Sequence, residues 1–301
     1  MTSLQSTPAE SIATSDALEG LTVVSMAPNI PGPAAARRFA ELGARVTKVE
    51  PPTGDLLSLI CPPYYTWLRE GQQVEVVDAK SPEGAQRIRE LLQEADLLIT
   101  SQRPAALQRL GLGWECLHAD FPQLCQVAVV GSTGENAATA GHDLTYQAHA
   151  GTLQPPAMPT VPLADVGGAE RTVSEGLAAI YTRSATGEGS YREVGLANVA
   201  MDFGRPAQFQ LTSPGAFLGG GMPQYALYTA KDGDVALAAL EPHFLRRLVD
   251  HLELTVDDRG VPTAEELEAI FLGRTAAEWE HWAKQRDIPL AAVRRAGGVQ
   301  K

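Results

Sequence analysis

The sequence predicts an α/β protein in which a large doubly wound domain is followed by a smaller α+β domain. Over about the first 130 residues, short apolar runs rich in β-branched residues alternate with segments of helical composition, the pattern of a parallel sheet covered by helices. After residue 224 the pattern changes to a hairpin followed by three helices. The chain has 301 residues, of which 44% are hydrophobic, and this is ample for two cores.

The first strand–helix–strand unit begins at Leu21. Leu21–Met26 is a buried strand by composition, and Pro33–Leu42 is a helix with Pro in its first turn and Gly43 after its end. Arg45–Val49 is the next strand, and a helical connection makes the two strands parallel. The loop 29–32 lacks the GxGxxG spacing, so the sequence does not support a dinucleotide site.

The alternation of strands and helices then continues. Ser81 before Pro82 marks a helix start, as N-cap and first helical residue. The other predicted strands are 74–78, 97–100, 123–130 and 191–196, and the other predicted helices are 104–110, 143–150 and 172–182. Ligands of such sheets bind at the carboxyl ends of the strands. The candidate loops are those after Met26, Val49, Ile99 and Val130.

The second part of the chain begins after a segment rich in Gly and Pro, 203–221, which has the composition of a linker. Strands 225–229 and 235–240 form the predicted hairpin, and helices 242–251, 263–271 and 275–286 follow. The predicted organisation is therefore a disordered N-terminus at 1–17, a large domain at 18–200, a linker at 201–224, a small domain at 225–294 and a tail at 295–301.

Charge and cysteine content exclude several function classes. The formal net charge of −12 argues against nucleic-acid binding. Three cysteines at this spacing fit neither a zinc site nor a disulfide framework, which favours a reduced cytoplasmic location. No apolar run reaches the roughly 18 residues needed to cross a membrane, and the N-terminus has no secretory signal pattern.

Two titratable residues flank a Pro-rich loop in the middle of the chain. Histidine is the residue type whose ordinary pKa lies nearest neutrality, which makes His142 a candidate proton carrier, and Asp165 could hold a proton or attack a carbonyl. From the residues alone, His142 could be a capping or packing residue and Asp165 a turn carboxylate. Glu241, which precedes Pro242, is a further candidate, and it could instead be an N-cap-region residue favoured by the helix dipole. Arg103 and Arg109 could equally be solvated surface charges.

Several segments resemble the family III CoA-transferases, over roughly residues 18 to 294. They are Gly20–Pro52 with its loop Pro31–Pro33, Asp78–Gly84 and Arg103–Gly113. Gly141–Asp143, Ala164–Asp165 and Ala239–Phe244 are similar to the α-methylacyl-CoA racemase branch of that family.

The resemblance implies a Rossmann-like large domain and a small domain in an interlocked homodimer that binds acyl-CoA or CoA. It implies no metal and no cofactor other than the CoA thioester that serves as substrate. In the racemase branch, the residues matching His142 and Glu241 lie on one face of the acyl α-carbon and the residue matching Asp165 on the other. Lys48, Arg103 and Arg109 match positions that contact CoA.

Three hypotheses follow from this resemblance. The first is racemisation or epimerisation of 2-methyl-branched acyl-CoA thioesters through His142, Asp165 and Glu241. The second is CoA transfer between carboxylic acids, with Asp165 as nucleophile. The third is a non-catalytic acyl-CoA-binding homologue, because the family's basic turn is replaced here by 69–73 and family members usually continue past the small domain.

Overall fold

The computed structural model describes residues 12, 14–137 and 139–294. The predicted tail 295–301 and most of the predicted disordered segment 1–17 lie outside these residues. The chain divides into two compact units, and the boundary between them in the sequence lies between Phe203 and Gly204. The predicted boundaries at 200 and 224 stay predictions.

A six-stranded sheet, entirely parallel, forms the centre of the first unit. Its strands are β1 (Thr22–Ser25), β2 (Arg45–Glu50), β3 (Gln72–Val76), β4 (Leu97–Thr100), β5 (Cys125–Val130) and β6 (Tyr191–Gly195). The strand order is β3-β2-β1-β4-β5-β6, so the direction of winding reverses between β1 and β4. In register, Val24 of β1 lies opposite Thr47 on one side and Leu98 on the other.

Helices cover both faces of this sheet. They are α1 (Pro31–Glu41), α2 (Leu57–Ile60), α3 (Pro62–Arg69), α4 (Pro82–Gln93), α5 (Pro104–Arg109), α6 (Trp114–Asp120), α7 (Asp143–Ala150), α8 (Leu163–Thr186) and α9 (Leu196–Gln208). Because successive strand residues point to opposite faces, Val23 joins a core with α1 and α8, while Val24 joins a core with α4, α5 and α6.

An antiparallel three-stranded sheet and three helices make up the second unit. They are the strands β7 (Tyr225–Thr229), β8 (Asp234–Ala238) and β9 (Leu290–Ala292), and the helices α10 (Pro242–Leu252), α11 (Ala264–Phe271) and α12 (Ala276–Lys284). Threonines cap helices α11 and α12, because the Thr263 and Thr275 hydroxyls accept hydrogen bonds from backbone N–H groups of their helices. The predicted fold class, a doubly wound α/β unit with a smaller α+β unit, is confirmed.

Five helical segments differ from the sequence prediction. Helix α8 begins at Leu163 and not at 172, α9 extends to Gln208 through a segment predicted to be irregular, and α2, α3 and α6 were not predicted. The α8 error has a packing cause. A Cβ on Gly167 would lie 2.1 Å from the Phe203 ring, so this glycine permits close helix packing and does not mark a turn.

Candidate active site

A cavity of about 540 Å³ lies in the first unit at the carboxyl edge of the parallel sheet. The loops after β1, β4 and β5 line it, and Leu57 of α2 adds a fourth side. These are the loops that the strand pattern indicated, and β1 and β4 are the strands between which the winding reverses. The lining residues that carry polar or titratable side chains are Asn29, Ser101, Gln102, Arg103, Thr139, His142, Tyr146 and Asp165.

The start of α1 closes one side of the cavity but offers few hydrogen-bond donors. Pro31 lies at the start of the helix and Pro33 in its first turn, and neither has a backbone N–H. A phosphate at a helix N-terminus needs such donors. The helix can nevertheless approach β1 closely, because a Cβ on Gly32 would lie 2.1 Å from the Cβ of Ala27.

His142 is the N-cap residue of α7. Its backbone N–H donates to the Thr145 hydroxyl over 3.1 Å, and that hydroxyl donates back to the His142 carbonyl oxygen over 2.8 Å. These two bonds fix the backbone at the helix start, while the imidazole is exposed and lines the cavity. The helix cap therefore sets where the imidazole meets the cavity.

Asp165 lies in the first turn of α8 and lines the same cavity. The pKa of its carboxyl is raised to about 6, first by burial and then by the nearby Asp143 carboxylate, while His142 acts to lower it. An acid with this pKa exchanges protons readily near neutral pH. Asp165 is thus a helical residue and not the turn carboxylate that was one sequence alternative.

Tyr146 is a lining residue that the sequence prediction missed. It lies one helical turn after His142 on α7 and is buried, and burial followed by the Asp165 charge raises the pKa of its hydroxyl. A Cβ on Gly141 would lie 2.4 Å from the Tyr146 ring, so glycine there makes room for the tyrosine. The four-residue spacing from His142 was the signal that could have identified it.

Gly167 and Gly168 follow Asp165 in α8, but their backbone N–H groups cannot bind a substrate oxygen. Gly167 and Gly168 are buried inside α8, beyond its first three residues. The N–H groups at such positions bond to carbonyl groups of the preceding turn. They are not available to a substrate oxygen.

Comparison with known proteins identifies the family. The model of CoA-transferase family III matches residues 18–301. Human α-methylacyl-CoA racemase is 30% identical over 289 residues, which cover 87% of this chain and 74% of that protein. The chain belongs to CoA-transferase family III. This is a family of enzymes that act on CoA thioesters, and the predicted family is confirmed at this level.

Other relatives include proteins with different reactions in their names. Formyl-CoA:oxalate CoA-transferase from Streptomyces coelicolor is 28% identical over 207 residues, 64% of this chain and 50% of that protein. The crystal structure of a CaiB/BaiF family protein from Brucella suis superposes with a TM-score of 0.78 at 25% identity, covering 92% of this chain and 84% of that one. Family membership therefore does not select one reaction.

Within this family III chain, the three predicted CoA contacts have different surroundings. Arg103 is the N-cap residue of α5, is exposed and lines the cavity, and its guanidinium has no hydrogen bond or ion pair with the described residues. Arg109 is exposed in the last turn of the same helix and is not among the residues lining the cavity.

Lys48 is almost completely buried, with 1% of its surface exposed. Its Nζ lies 2.5 Å from a Glu50 carboxylate oxygen and 2.8 Å from one of Asp55, and over the Tyr65 ring. A CoA contact would require this ammonium to leave two carboxylates. The contact stays a prediction.

Glu241 belongs to the second unit, where it is the N-cap residue of α10. Its backbone carbonyl accepts bonds from Phe244 and Leu245, and its exposed carboxylate makes no hydrogen bond or ion pair with the described residues. Its place at the start of α10 fits the alternative that the helix dipole favours a negative charge there, although the carboxylate forms no cap hydrogen bond. Its pairing with His142 stays a prediction.

No metal-binding cluster of three or more His, Cys, Asp or Glu side chains occurs in the described part of the chain. None of the described helices combines the length and apolar character that crossing a membrane requires.

Proposed function

We propose that this family III protein is a racemase or epimerase of 2-methyl-branched acyl-CoA thioesters, acting by proton exchange at the acyl α-carbon. The observation that supports this most directly is that one cavity is lined by both an exposed imidazole, His142, and a carboxyl group with a pKa of about 6, Asp165. Two side chains that can carry a proton to and from one carbon atom are what such a reaction needs.

The proton transfers balance in both directions. From one stereoisomer, neutral His142 takes the α-proton, the C–H electron pair passes into the enolate of the thioester, and protonated Asp165 delivers a proton to the opposite face. From the other stereoisomer, the Asp165 carboxylate takes the proton and the His142 imidazolium returns one. In this proposal, Glu241 orients the imidazole and raises its basicity.

The proposed substrate is a thioester of CoA, which carries several phosphate charges. Arg103 supports this, because its guanidinium lines the cavity without a protein partner among the described residues. Arg109 and Lys48 complete the proposed cationic set. We also propose that the protein is a homodimer, as the family resemblance implies, and that it is located in the cytoplasm, as the few unpaired cysteines suggest.

Transfer of CoA between carboxylic acids is the second candidate, and the relatives named as CoA-transferases favour it. Asp165 would attack the thioester carbonyl, form an acyl anhydride and release the CoA thiolate. Attack requires the ionised carboxylate, and a pKa raised by burial reduces that fraction at slightly acid pH. Transfer also assigns no step to His142, so we rank it second.

Deuterium exchange at the α-carbon of a 2-methylacyl-CoA tests racemisation. The native protein is expected to exchange this proton in D2O. His142→Ala and Asp165→Asn are each expected to lower, by at least 100-fold, the exchange of the stereoisomer whose proton that group removes and the conversion of one stereoisomer into the other, since inversion needs both proton carriers. The matched control is His149→Ala, which changes an exposed histidine of the same helix that does not line the cavity. Conversion between the stereoisomers that survives His142→Ala unchanged would contradict the proposal.

Trapping during turnover separates the two reactions. Borohydride or hydroxylamine is added with acyl-CoA and an acceptor carboxylate, and Asp165 is examined by peptide mass spectrometry. Racemisation leaves Asp165 unmodified while exchange proceeds, whereas transfer gives a modified Asp165. Calorimetry with CoA and acyl-CoA then shows whether an inactive preparation binds the ligand at all.

A further inference from the structure

Asp143 holds the start of a helix other than its own. Its carboxylate oxygen Oδ1 accepts hydrogen bonds from the backbone N–H of Ala164 over 2.7 Å and of Asp165 over 3.2 Å. These are free donors at the N-terminus of α8, because no preceding turn exists to bond them. Asp143 directly follows His142 in the chain, so one carboxylate joins the backbones of both proposed proton carriers.

Gln147 holds that carboxylate from the other side. Its Nε2 donates to Asp143 Oδ2 over 2.7 Å and to the Val161 carbonyl oxygen over 3.1 Å, and its Oε1 accepts from the Thr152 hydroxyl over 3.3 Å. The side chain is 3% exposed, and both amide hydrogens have acceptors. The amide therefore fixes the Asp143 rotamer and the end of the Pro-rich loop at once.

We infer that Asp143 and Gln147 are positioning residues, which together hold the backbone of Asp165 at a fixed distance from His142. The hydrogen bonds run from α7 through these two side chains to the first turn of α8, across 22 residues of sequence. The bridge rests on geometry alone, and its effect on turnover rests on the proposed function. Neither residue needs to touch the substrate.

The bridge also places a negative charge beside Asp165. The groups that face Asp165 are Asp143, His142 and Tyr146 on α7 or its cap, and Tyr64 on α3. Arg103 lines the same cavity. Of these, Asp143 is the group that raises the pKa of Asp165, after burial itself, so removing its charge should lower that pKa.

Two measurements on the folded full chain test the bridge without any substrate. In Asp143→Asn, the pKa of Asp165, followed by carboxyl carbon NMR, is expected to fall, because the neighbouring charge is gone. In Asp143→Ala, the Ala164 and Asp165 amides are expected to exchange with solvent at least tenfold faster, because their acceptor is gone. Asp258→Asn, an exposed site in the second unit, is the control and should change neither readout.

Gln147→Met is the second variant and serves if the Asp143 variants do not fold. It retains the side-chain volume and removes the donor to Asp143 and Val161. We expect kcat for α-proton exchange to fall about tenfold or more with KM within about twofold, since a misplaced proton carrier slows the chemical step. The Ala164 and Asp165 amides should again exchange faster.

An unchanged Asp165 pKa in Asp143→Asn, or unchanged exchange of both amides in Asp143→Ala and Gln147→Met, would overturn the inference. If the native protein shows no α-proton exchange while the NMR readouts shift as expected, the bridge stands and the proposed function fails. The two failures are therefore distinguishable.

Discussion

Asp165 combines two opposing electrostatic influences at one residue. In the first turn of α8, the helix dipole favours a negative charge. Burial and the Asp143 carboxylate disfavour it, and they prevail, because the pKa rises from 3.8 to about 6. The folded protein therefore binds a proton here more tightly than the unfolded chain does.

This shift predicts how Asp165→Asn changes stability with pH. Below about pH 3.8 the Asp165 carboxyl is protonated in both the folded and the unfolded state, so its raised pKa does not lower the free energy of unfolding. The loss of stability grows as the pH rises and is complete once the pH passes about 6. The full penalty is up to about 3 kcal/mol. Asp165→Asn should therefore raise the free energy of unfolding by about 1–3 kcal/mol at about pH 7.5 and hardly change it at about pH 4.

Urea denaturation at the two pH values measures this, with Asp258→Asn as the exposed control. An equal increase in the free energy of unfolding at both pH values would contradict the raised pKa of Asp165. The gain at neutral pH would come with lost exchange activity, as expected for a group kept for function at a cost in stability.

The residues of the site were predicted mainly from their types and from the motifs in which they occur. His142, Asp165 and Arg103 were selected from motifs, and the structure brings all three to one cavity. Tyr146 and Gln147 were missed, because a buried polar residue within a helix resembles any other core position until its neighbours are known. The role of Asp143 at α8 depends on a contact 21 residues away, which no local pattern encodes.

At the scale of elements, the start of α8 shows where local signals mislead. Adjacent glycines after a Pro-rich loop favour a turn by propensity, yet Gly167 and Gly168 are helical and buried. The packing of Phe203 and Leu196 against them decides the outcome, since a Cβ at either glycine would overlap these side chains. Tertiary packing therefore outweighs the local preference for a turn. As a result, Asp165 lies in a helix and not in the turn that was one sequence alternative.

A buried ionic network joins three neighbouring elements. Lys48 on β2 pairs with Glu50 at the end of that strand and with Asp55 just before α2, and the Tyr65 hydroxyl of α3 donates to Glu50 over 2.9 Å. The backbone N–H of Leu57 in turn donates to Asp55 over 3.0 Å. Since Leu57 lines the cavity, the network holds one side of the site.

Lys48→Met should therefore destabilise the protein in the absence of any ligand. It leaves two buried carboxylates without their cation, which typically costs about 3–5 kcal/mol. Urea denaturation measures the loss, and Lys80→Met, at an exposed lysine, is the control. Unchanged stability combined with weaker CoA binding by calorimetry would instead favour the direct CoA contact that the family resemblance implied.

For the whole molecule, topology was the most predictable property. Apolar runs at strand length separated by helical segments indicate a parallel, doubly wound sheet, and the strand order then places the ligand site at the reversal between β1 and β4. The third strand of the second unit, β9, was not predicted, because Leu290–Ala292 is too short for any periodicity.

The sequence pattern does not determine whether the chain forms an oligomer, and the proposed homodimer can be tested directly. Large side chains are well exposed on the first unit, among them Leu59 at 76%, Ile60 at 67% and Tyr181 at 78%. Apolar surface of this kind is stabilised when a partner covers it.

Sedimentation equilibrium at micromolar concentration should therefore give twice the mass of one chain, and the Tm should rise with protein concentration, because association stabilises the folded state by mass action. A single-chain mass and a Tm independent of concentration would contradict the dimer, and the exchange activity of that monomer would then show whether one chain suffices for the proposed chemistry.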